Sequence, residues 1–111
     1  MAIFNKHKIK NLFMIIHIAL FKWKTNIQND EIEEILKKVK QLKNKCKGIQ
    51  DIFCGKNYHK ESNGFTHGIV IIAENQESLD EYRQHPDHKK IAEFIEQIEE
   101  KSLGFDFKDQ S

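Results

Sequence analysis

The residues best suited to chemistry lie in one short run, in which a tyrosine and two histidines flank a proline. Tyr82, His85, Pro86 and His88 follow the pattern Tyr-x-x-His-Pro-x-His. Histidine gains and loses a proton near neutral pH, and a tyrosine hydroxyl can donate a hydrogen bond to a carbonyl oxygen. Such a pair suits proton removal from a carbon beside a carbonyl, with stabilisation of the enolate. That chemistry needs no cofactor, and we predict none.

Two other interpretations of the same run compete with catalysis. His85 and His88 are three residues apart, which is compatible with a metal site on a helix. Pro86 bends the chain between them, however, and no carboxylate or cysteine completes a ligand set, so we predict no metal. Taken singly, Tyr82 is typical of an amphipathic packing residue. An inward histidine of a small domain is also more often a hydrogen-bonded core residue than a catalyst.

Two further histidines lie on predicted strands, and their spacing places them beside apolar residues. Side chains alternate between the two faces of a strand, so each of these histidines shares a face with the residues two and four positions after it. The residues concerned are His17, Ala19 and Phe21, and His67, Ile69 and Ile71. His88 precedes Ile91, Ile95 and Ile98 at helical spacing, so it shares their inward stripe. These residues and Tyr82 are predicted to converge on a pocket between sheet and helices, with His85 also in its wall.

The elements that must position these residues can be predicted from periodicity and capping patterns. Apolar stretches predict strands at residues 15–23, 49–56, 67–74 and 103–107. Helical spacing predicts a helix from Asp30, with a cap formed with Glu33, to Gly48. A second helical segment starts at a Ser78 capping box, is interrupted at Pro86 and continues to about residue 101.

The order strand, helix, strand, strand, helix, strand is that of the ferredoxin-like split βαβ unit. We therefore predict an α+β fold with a four-stranded antiparallel sheet. Helices of such a unit cover one face of the sheet, yet both faces of the first and third strands are apolar. An open second face would exceed the apolar patch that a monomer tolerates. A homodimer formed through that face, giving a dimeric α+β barrel, is the expected solution.

Composition excludes several classes of partner. The 111 residues carry a net charge of +1, which gives no field for nucleic acid or an anionic membrane. The apolar run at residues 12–21 is shorter than the ~20 residues of a membrane helix.

Cys46 and Cys54 lack the spacing of a disulfide framework, so we expect free thiols and a cytoplasmic location. Residues 1–13 are expected to form a disordered basic extension, and residues 109–111 a tail.

Five segments of the chain resemble one known family. They are HIALFKWK from His17, CGKN from Cys54, GFTHG from Gly64, LDEYRQHPDH from Leu79 and FDF from Phe105. Over residues 14–108 the chain resembles the stress-responsive A/B barrel (Dabb) family, whose members are homodimers with two sheets packed into a barrel. In a polyketide-cyclising member, the resemblance places Tyr82 and His88 at the catalytic tyrosine and histidine. His17, His67 and His85 also match histidines of that enzyme.

Three functions remain open at this stage. The first is a cofactor-independent enzyme that acts on a hydrophobic carbonyl compound, in the manner of a cyclase or lyase. The second is a non-catalytic, stress-related dimer that binds a small apolar molecule or has a structural role. The third is a monooxygenase-like activity, which other dimeric barrels of this fold possess. A fold alone does not decide among them.

Overall fold

The elements of the chain follow the predicted order. The computed structural model describes residues 13–110. The strands are β1 (Phe13–Trp23), β2 (Ile49–Lys56), β3 (His67–Ala73) and β4 (Glu99–Gln110), and the helices are α1 (Asn29–Gln41), α2 (Gln76–Gln84) and α3 (Pro86–Ile98). The sheet is antiparallel with the order β2-β3-β1-β4. The predicted ferredoxin-like α+β fold is confirmed.

The two central strands, β1 and β3, turn every second side chain toward the helices. His17 lies opposite Ile71, and Phe21 lies opposite His67. The odd-numbered residues of β3 are all buried, whereas the residues between them are half-buried. Together with apolar residues of α1, such as Ile35 and Val39, this inner face forms the core. The predicted division of the strands into an inner and an outer face is therefore confirmed.

Three helix boundaries differ from the prediction, each for a local reason. Helix α1 ends at Gln41 and tightens into a 3₁₀ turn, rather than continuing to Gly48. The cap of α2 is Asn75, whose side chain accepts a hydrogen bond from the Ser78 amide, so this helix begins earlier than a Ser78 cap implies. Helix α3 ends at Ile98 because Glu99 is extended and already pairs with β1.

Helix α1 starts before its predicted first residue, and strands β1 and β4 extend beyond their predicted limits. Glu31, rather than Glu33, accepts the hydrogen bond from the amide of Gln28 that caps α1. Phe13 pairs with Gln110, so strand structure includes one residue of the predicted extension and part of the predicted tail. Residues 1–12, where the rest of that extension falls, lie outside the described residues. Within residues 13–110, the helices are too short or too polar to span a membrane.

Gly48 forms the turn into β2 and cannot carry a side chain there. Its φ is +87°, and an added Cβ would lie 2.1 Å from the buried Ser78 Oγ. We expect Gly48→Ala to lower the free energy of unfolding by about 2–4 kcal/mol, because backbone strain and overpacking add. Chemical denaturation measures the loss. Gly104→Ala is the matched control, since a Cβ there meets nothing within 4 Å. Equal stability of the two variants would contradict the packing described for this turn.

Candidate functional site

A cavity of about 260 Å³ lies between the inner face of the sheet and the helices α2 and α3. Seven of the nine residues predicted for the site line it: His17, Ala19, Phe21, Ile69, Ile71, Tyr82 and His88. Val39, Ile91, Ala92 and Ile95 add apolar wall, and Glu96, Glu99 and Ser102 add polar wall. The structure therefore brings the Tyr82 and His88 pair together with a strand histidine in one concave space.

A larger groove, of about 520 Å³, lies on the surface between α1 and α3. Its wall carries lysines and carboxylates of both helices together with Ile35, Leu42, Ile91 and Phe94. It contains none of the histidines or tyrosines considered above. We therefore place the candidate site in the smaller cavity, where groups capable of proton transfer converge.

Tyr82 and His88 meet because a proline separates their helices. Tyr82 lies near the end of α2, and Pro86 starts α3 as its first residue, which allows the chain to turn sharply. The two rings pack against each other with centroids 4.5 Å apart and planes tilted by 56°. Tyr82 is buried, with 4% of its surface exposed. The Tyr-x-x-His-Pro-x-His pattern thus produces a fixed ring pair.

Burial changes the proton affinity of both members of this pair. Burial lowers the pKa of His88, and the interaction of the ring with the backbone of Arg83 offsets only part of the effect. Burial likewise raises the pKa of the Tyr82 hydroxyl well above its ordinary value. At neutral pH the pair is therefore a neutral imidazole beside a protonated phenol. Among the described residues, the buried Nδ1 of His88 has no hydrogen-bond partner.

A third group, His17 on β1, is held by a carboxylate and an arginine. His17 Nδ1 lies 2.5 Å from Asp106 Oδ1, and Arg83 donates to Asp106 Oδ2 over 3.0 Å. Burial raises the pKa of Asp106, but the hydrogen bonds from His17 and Arg83 and their charges outweigh it, so the net pKa lies below its usual value. Asp106 is therefore ionised at neutral pH.

Sequence reasoning missed both Asp106 and Arg83. Asp106 lies between Phe105 and Phe107 in β4, and it faces the helices because it pairs with His17 across the sheet. A polar residue alternating with two aromatic residues is a signal for one charged position on the inner face. Only the strand register links it to His17. Arg83, next to Tyr82 in sequence, gave no such signal.

His67 lies outside this cavity, although it was predicted to line it. Its Nδ1 accepts a hydrogen bond from Trp23 Nε1 over 3.0 Å and lies 2.9 Å from Thr66 Oγ1. Burial lowers the pKa of His67. Trp23 ends β1 two residues beyond Phe21, so His67 lies beyond the end of the cavity, where it is buried and lines a separate pocket of about 200 Å³. We infer a structural role for it.

His85 also lies outside the cavity, at the junction between α2 and α3. Its backbone is extended, with φ −61° and ψ +133°, as the residue before a proline prefers. Its Nδ1 accepts a hydrogen bond from the Asp87 amide over 3.1 Å, which caps α3. The side chain therefore satisfies a helix terminus rather than facing a ligand.

Two histidines, the buried His67 and the half-buried His88, predict how stability changes with pH. Because the pKa values of His67 and His88 are lower in the fold than in the unfolded chain, the unfolded chain binds more protons below about pH 6.5. The full stability of the fold is present above that pH, and part of it is lost as the pH falls through the folded-state pKa values of these two histidines. We expect a higher urea midpoint at pH 8 than at pH 5.5, and a smaller difference in His67→Gln. The exposed His59→Gln is the control. An equal difference between the urea midpoints at pH 8 and pH 5.5 in both variants would contradict the role given to His67.

The comparisons with known proteins identify the family of this chain. The family model of the stress responsive A/B barrel domain matches residues 15–109. The chain belongs to the Dabb family. Olivetolic acid cyclase of Cannabis sativa is 28% identical to it over 93 residues, which are 82% of this chain and 92% of the cyclase. The stress-response A/B barrel domain-containing protein HS1 of Arabidopsis thaliana is 29% identical over 97 residues, covering 86% and 89% of the two chains.

Solved structures show the same fold. A crystal structure of an Arabidopsis thaliana protein superposes on this Dabb domain with a TM-score of 0.79 at 28% identity, covering 87% of this chain and 96% of the other. The hydroxynitrile lyase of Passiflora edulis gives 0.78 at 16% identity, covering 86% and 92%. A protein of Thermobifida fusca, described as dimeric and ferredoxin-like, gives 0.76 at 20% identity, covering 86% and 90%. The last two likenesses concern the fold alone.

Proposed function

We propose that this Dabb domain binds a small, largely apolar carbonyl compound in the cavity and performs acid–base chemistry on it without metal or cofactor. The observation that carries the proposal is the packed pair of Tyr82 and His88 in the cavity wall, 4.5 Å apart between ring centroids. The remaining wall is mainly aliphatic, which suits an apolar ligand body. Its volume of about 260 Å³ corresponds to a small molecule.

His88 is the proposed base. Burial lowers its pKa, so the imidazole is neutral and has a free electron pair at physiological pH. Its Nδ1 is enclosed by protein atoms, so we assign the proton-accepting role to Nε2. His88 takes a proton from the carbon beside the carbonyl, the electron pair of that C–H bond forms a carbon–carbon double bond, and the π electron pair of the carbonyl moves onto its oxygen. The product of this step is an enolate and an imidazolium.

Tyr82 is the proposed hydrogen-bond donor to that oxygen. Because burial raises its pKa, the phenol keeps its proton throughout the working pH range. A donor held in a buried site stabilises negative charge that develops during the reaction more strongly than one in water does. The enolate formed at His88 can then attack a second carbonyl, or take its proton back at the same carbon. Ring closure follows from attack on a second carbonyl of the same molecule, and carbon–carbon bond cleavage is the reverse reaction, in which the base takes the hydroxyl proton and the enolate departs.

The names of two similar proteins support this choice. One is a cyclase and the other a hydroxynitrile lyase, and both names denote the making or breaking of a bond at carbon. The cyclase also shares 28% sequence identity with this chain. The substrate of this chain does not follow from either name. The reaction class does fit the neutral base and protonated donor of the cavity.

Proton exchange tests the proposal without the natural substrate. Incubation with phenylacetone in D₂O at pD 7.5 and excess EDTA, followed by ¹H NMR, measures the loss of protons beside the carbonyl. We expect the protein to accelerate this exchange over buffer, because the step needs only a base and a hydrogen-bond donor. Absence of exchange with phenylacetone shown to bind by NMR shift changes would contradict the catalytic proposal.

The second candidate is a non-catalytic dimer whose cavity holds an apolar molecule. Two of the four histidines that the resemblance matches to the cyclising enzyme, His67 and His85, are already engaged in structural hydrogen bonds, which is the observation in its favour. Binding of phenylacetone without exchange would support this candidate. No feature of residues 13–110 favours the monooxygenase-like alternative specifically.

The outer face of the sheet is the proposed homodimer interface. It is apolar across all four strands, through Ile16, Ile18, Leu20, Phe53, Val70, Ile72, Leu103, Phe105 and Phe107. Phe105 is 61% exposed and Leu103 53% exposed in the single chain. Burial of this face against a second copy removes an apolar surface that water otherwise contacts. Structural relatives described as dimeric support this arrangement.

We place the dimer in the cytoplasm, because Cys46 and Cys54 are both free.

A further inference from the structure

Three elements of the fold contribute one side chain each to a network at the wall of the cavity. His17 comes from β1, Arg83 from the last turn of α2 and Asp106 from β4. Asp106 bridges the other two, with one oxygen 2.5 Å from His17 Nδ1 and the other 3.0 Å from an Arg83 Nη. His17 is the only member of the three that lines the cavity itself.

The network has a chemical consequence for His17. An ionised carboxylate accepts hydrogen bonds and cannot donate one, so the proton between Asp106 and His17 belongs to Nδ1. In a neutral imidazole the other nitrogen, Nε2, then carries the free electron pair. The same Arg83 nitrogen lies 3.3 Å from His17 Nδ1, but two N–H donors do not bond to each other. The arginine therefore acts on His17 through Asp106.

Arg83 holds the carboxylate in the orientation that His17 requires. Asp106 itself is exposed at 41% of its side chain, so without a second partner its carboxylate can turn toward water. Arg83 occupies Oδ2 and leaves Oδ1 directed at His17. The charged or titratable groups facing His17 are Asp106 on β4, Arg83 on α2 and His88 on α3. Asp106 is the one anion among these groups, and it binds both His17 and the permanently charged Arg83.

We propose that Arg83 and Asp106 are positioning residues that hold His17 in its Nδ1–H tautomer and so present Nε2 to the cavity as a second hydrogen-bond acceptor. The cavity then offers a ligand one hydroxyl donor at Tyr82 and acceptors at both His88 and His17. A ligand that carries a hydroxyl or N–H group beside its carbonyl pairs with Tyr82 and His17, and leaves His88 free to take the proton from carbon. This last consequence rests on the proposed function, whereas the tautomer of His17 does not.

Nitrogen NMR of the ligand-free protein tests the tautomer directly. In protein labelled with ¹⁵N-histidine at pH 8, long-range proton–nitrogen correlations distinguish a protonated from an unprotonated ring nitrogen. We expect His17 to be predominantly Nδ1–H in the wild type. In Asp106→Asn and Arg83→Leu we expect the Nδ1–H fraction to fall at least about threefold relative to Nε2–H, because the fixed acceptor is lost or released. Arg83→Lys restores part of it, since the ammonium can still bind Asp106.

Asp87→Asn is the matched control. It removes a carboxylate of the similarly exposed pair with Lys45, away from His17, and we expect no change in the tautomer. Thermal unfolding of each variant separates a positioning effect from loss of the fold. Predominance of the Nε2–H form in the folded wild type, or an unchanged tautomer in folded Asp106→Asn, would overturn the proposal. Because no ligand is present, a negative exchange experiment with phenylacetone leaves this test unaffected.

Discussion

Replacing His88 with glutamine is expected to slow proton exchange in phenylacetone by at least about 100-fold, which is the lower end of what a positioned general base supplies. Glutamine preserves polarity and approximate size but cannot accept the proton. Tyr82→Phe is expected to cost a similar factor, because it removes the donor that stabilises the enolate oxygen. Exchange rates followed by ¹H NMR in D₂O measure both effects. The ring pair makes the two losses interdependent, so the double variant is expected to lose less than the product of the single losses.

Matched controls for these variants exist in the long loop between β2 and β3. His59 and Tyr58 are both exposed and lie outside the cavity. His59→Gln and Tyr58→Phe repeat the same chemical changes there, and we expect both to retain the full exchange rate. A His88→Gln protein that folds, binds phenylacetone and exchanges it at the wild-type rate would show that another group is the base.

Introducing a charge on the outer face of the sheet is expected to convert the proposed dimer to a monomer. Phe105 lies on the edge strand β4, where it pairs with Ile18 of β1 and packs 5.7 Å from Phe107 between ring centroids. In Phe105→Asp, each chain would bury a carboxylate without a partner, which costs more than the interface can supply locally. Sedimentation velocity is expected to show about half of the wild-type mass at micromolar concentration.

Phe94→Asp provides the control for this experiment. Phe94 is 39% exposed but belongs to the groove between α1 and α3, away from the outer face of the sheet. We expect this variant to remain dimeric. A wild-type protein that sediments as a monomer, or dissociation of both variants alike, would contradict the assignment of the interface to the outer face.

The sequence predicts the architecture well because the relevant signals are local and periodic. Alternation along β1 and β3 correctly separates residues such as His17 from Ile16, and helical spacing correctly turns His88 inward. The Tyr-x-x-His-Pro-x-His run places Tyr82 and His88 together because the proline fixes the helix junction. These features depend on neighbours within a few residues, which the sequence displays directly.

The features that sequence reasoning missed depend on contacts between distant segments. Asp106 and His17 are 89 residues apart, and only the register between β1 and β4 brings them together. His67 was predicted to line the cavity, yet its hydrogen bond with Trp23 lies outside that cavity. The start of α2 differs because the Asn75 side chain accepts a hydrogen bond from the Ser78 amide and caps the helix three residues earlier than a Ser78 cap would.

A crystal structure with phenylacetone bound tests the central claim most directly. The account predicts density for the ketone in the cavity between the sheet and α3, with its oxygen within hydrogen-bond distance of the Tyr82 hydroxyl. The carbon beside that carbonyl is expected to lie next to His88 Nε2, at a distance that allows proton transfer. A ketone bound instead in the groove between α1 and α3, or a cavity closed by side chains, would contradict the account.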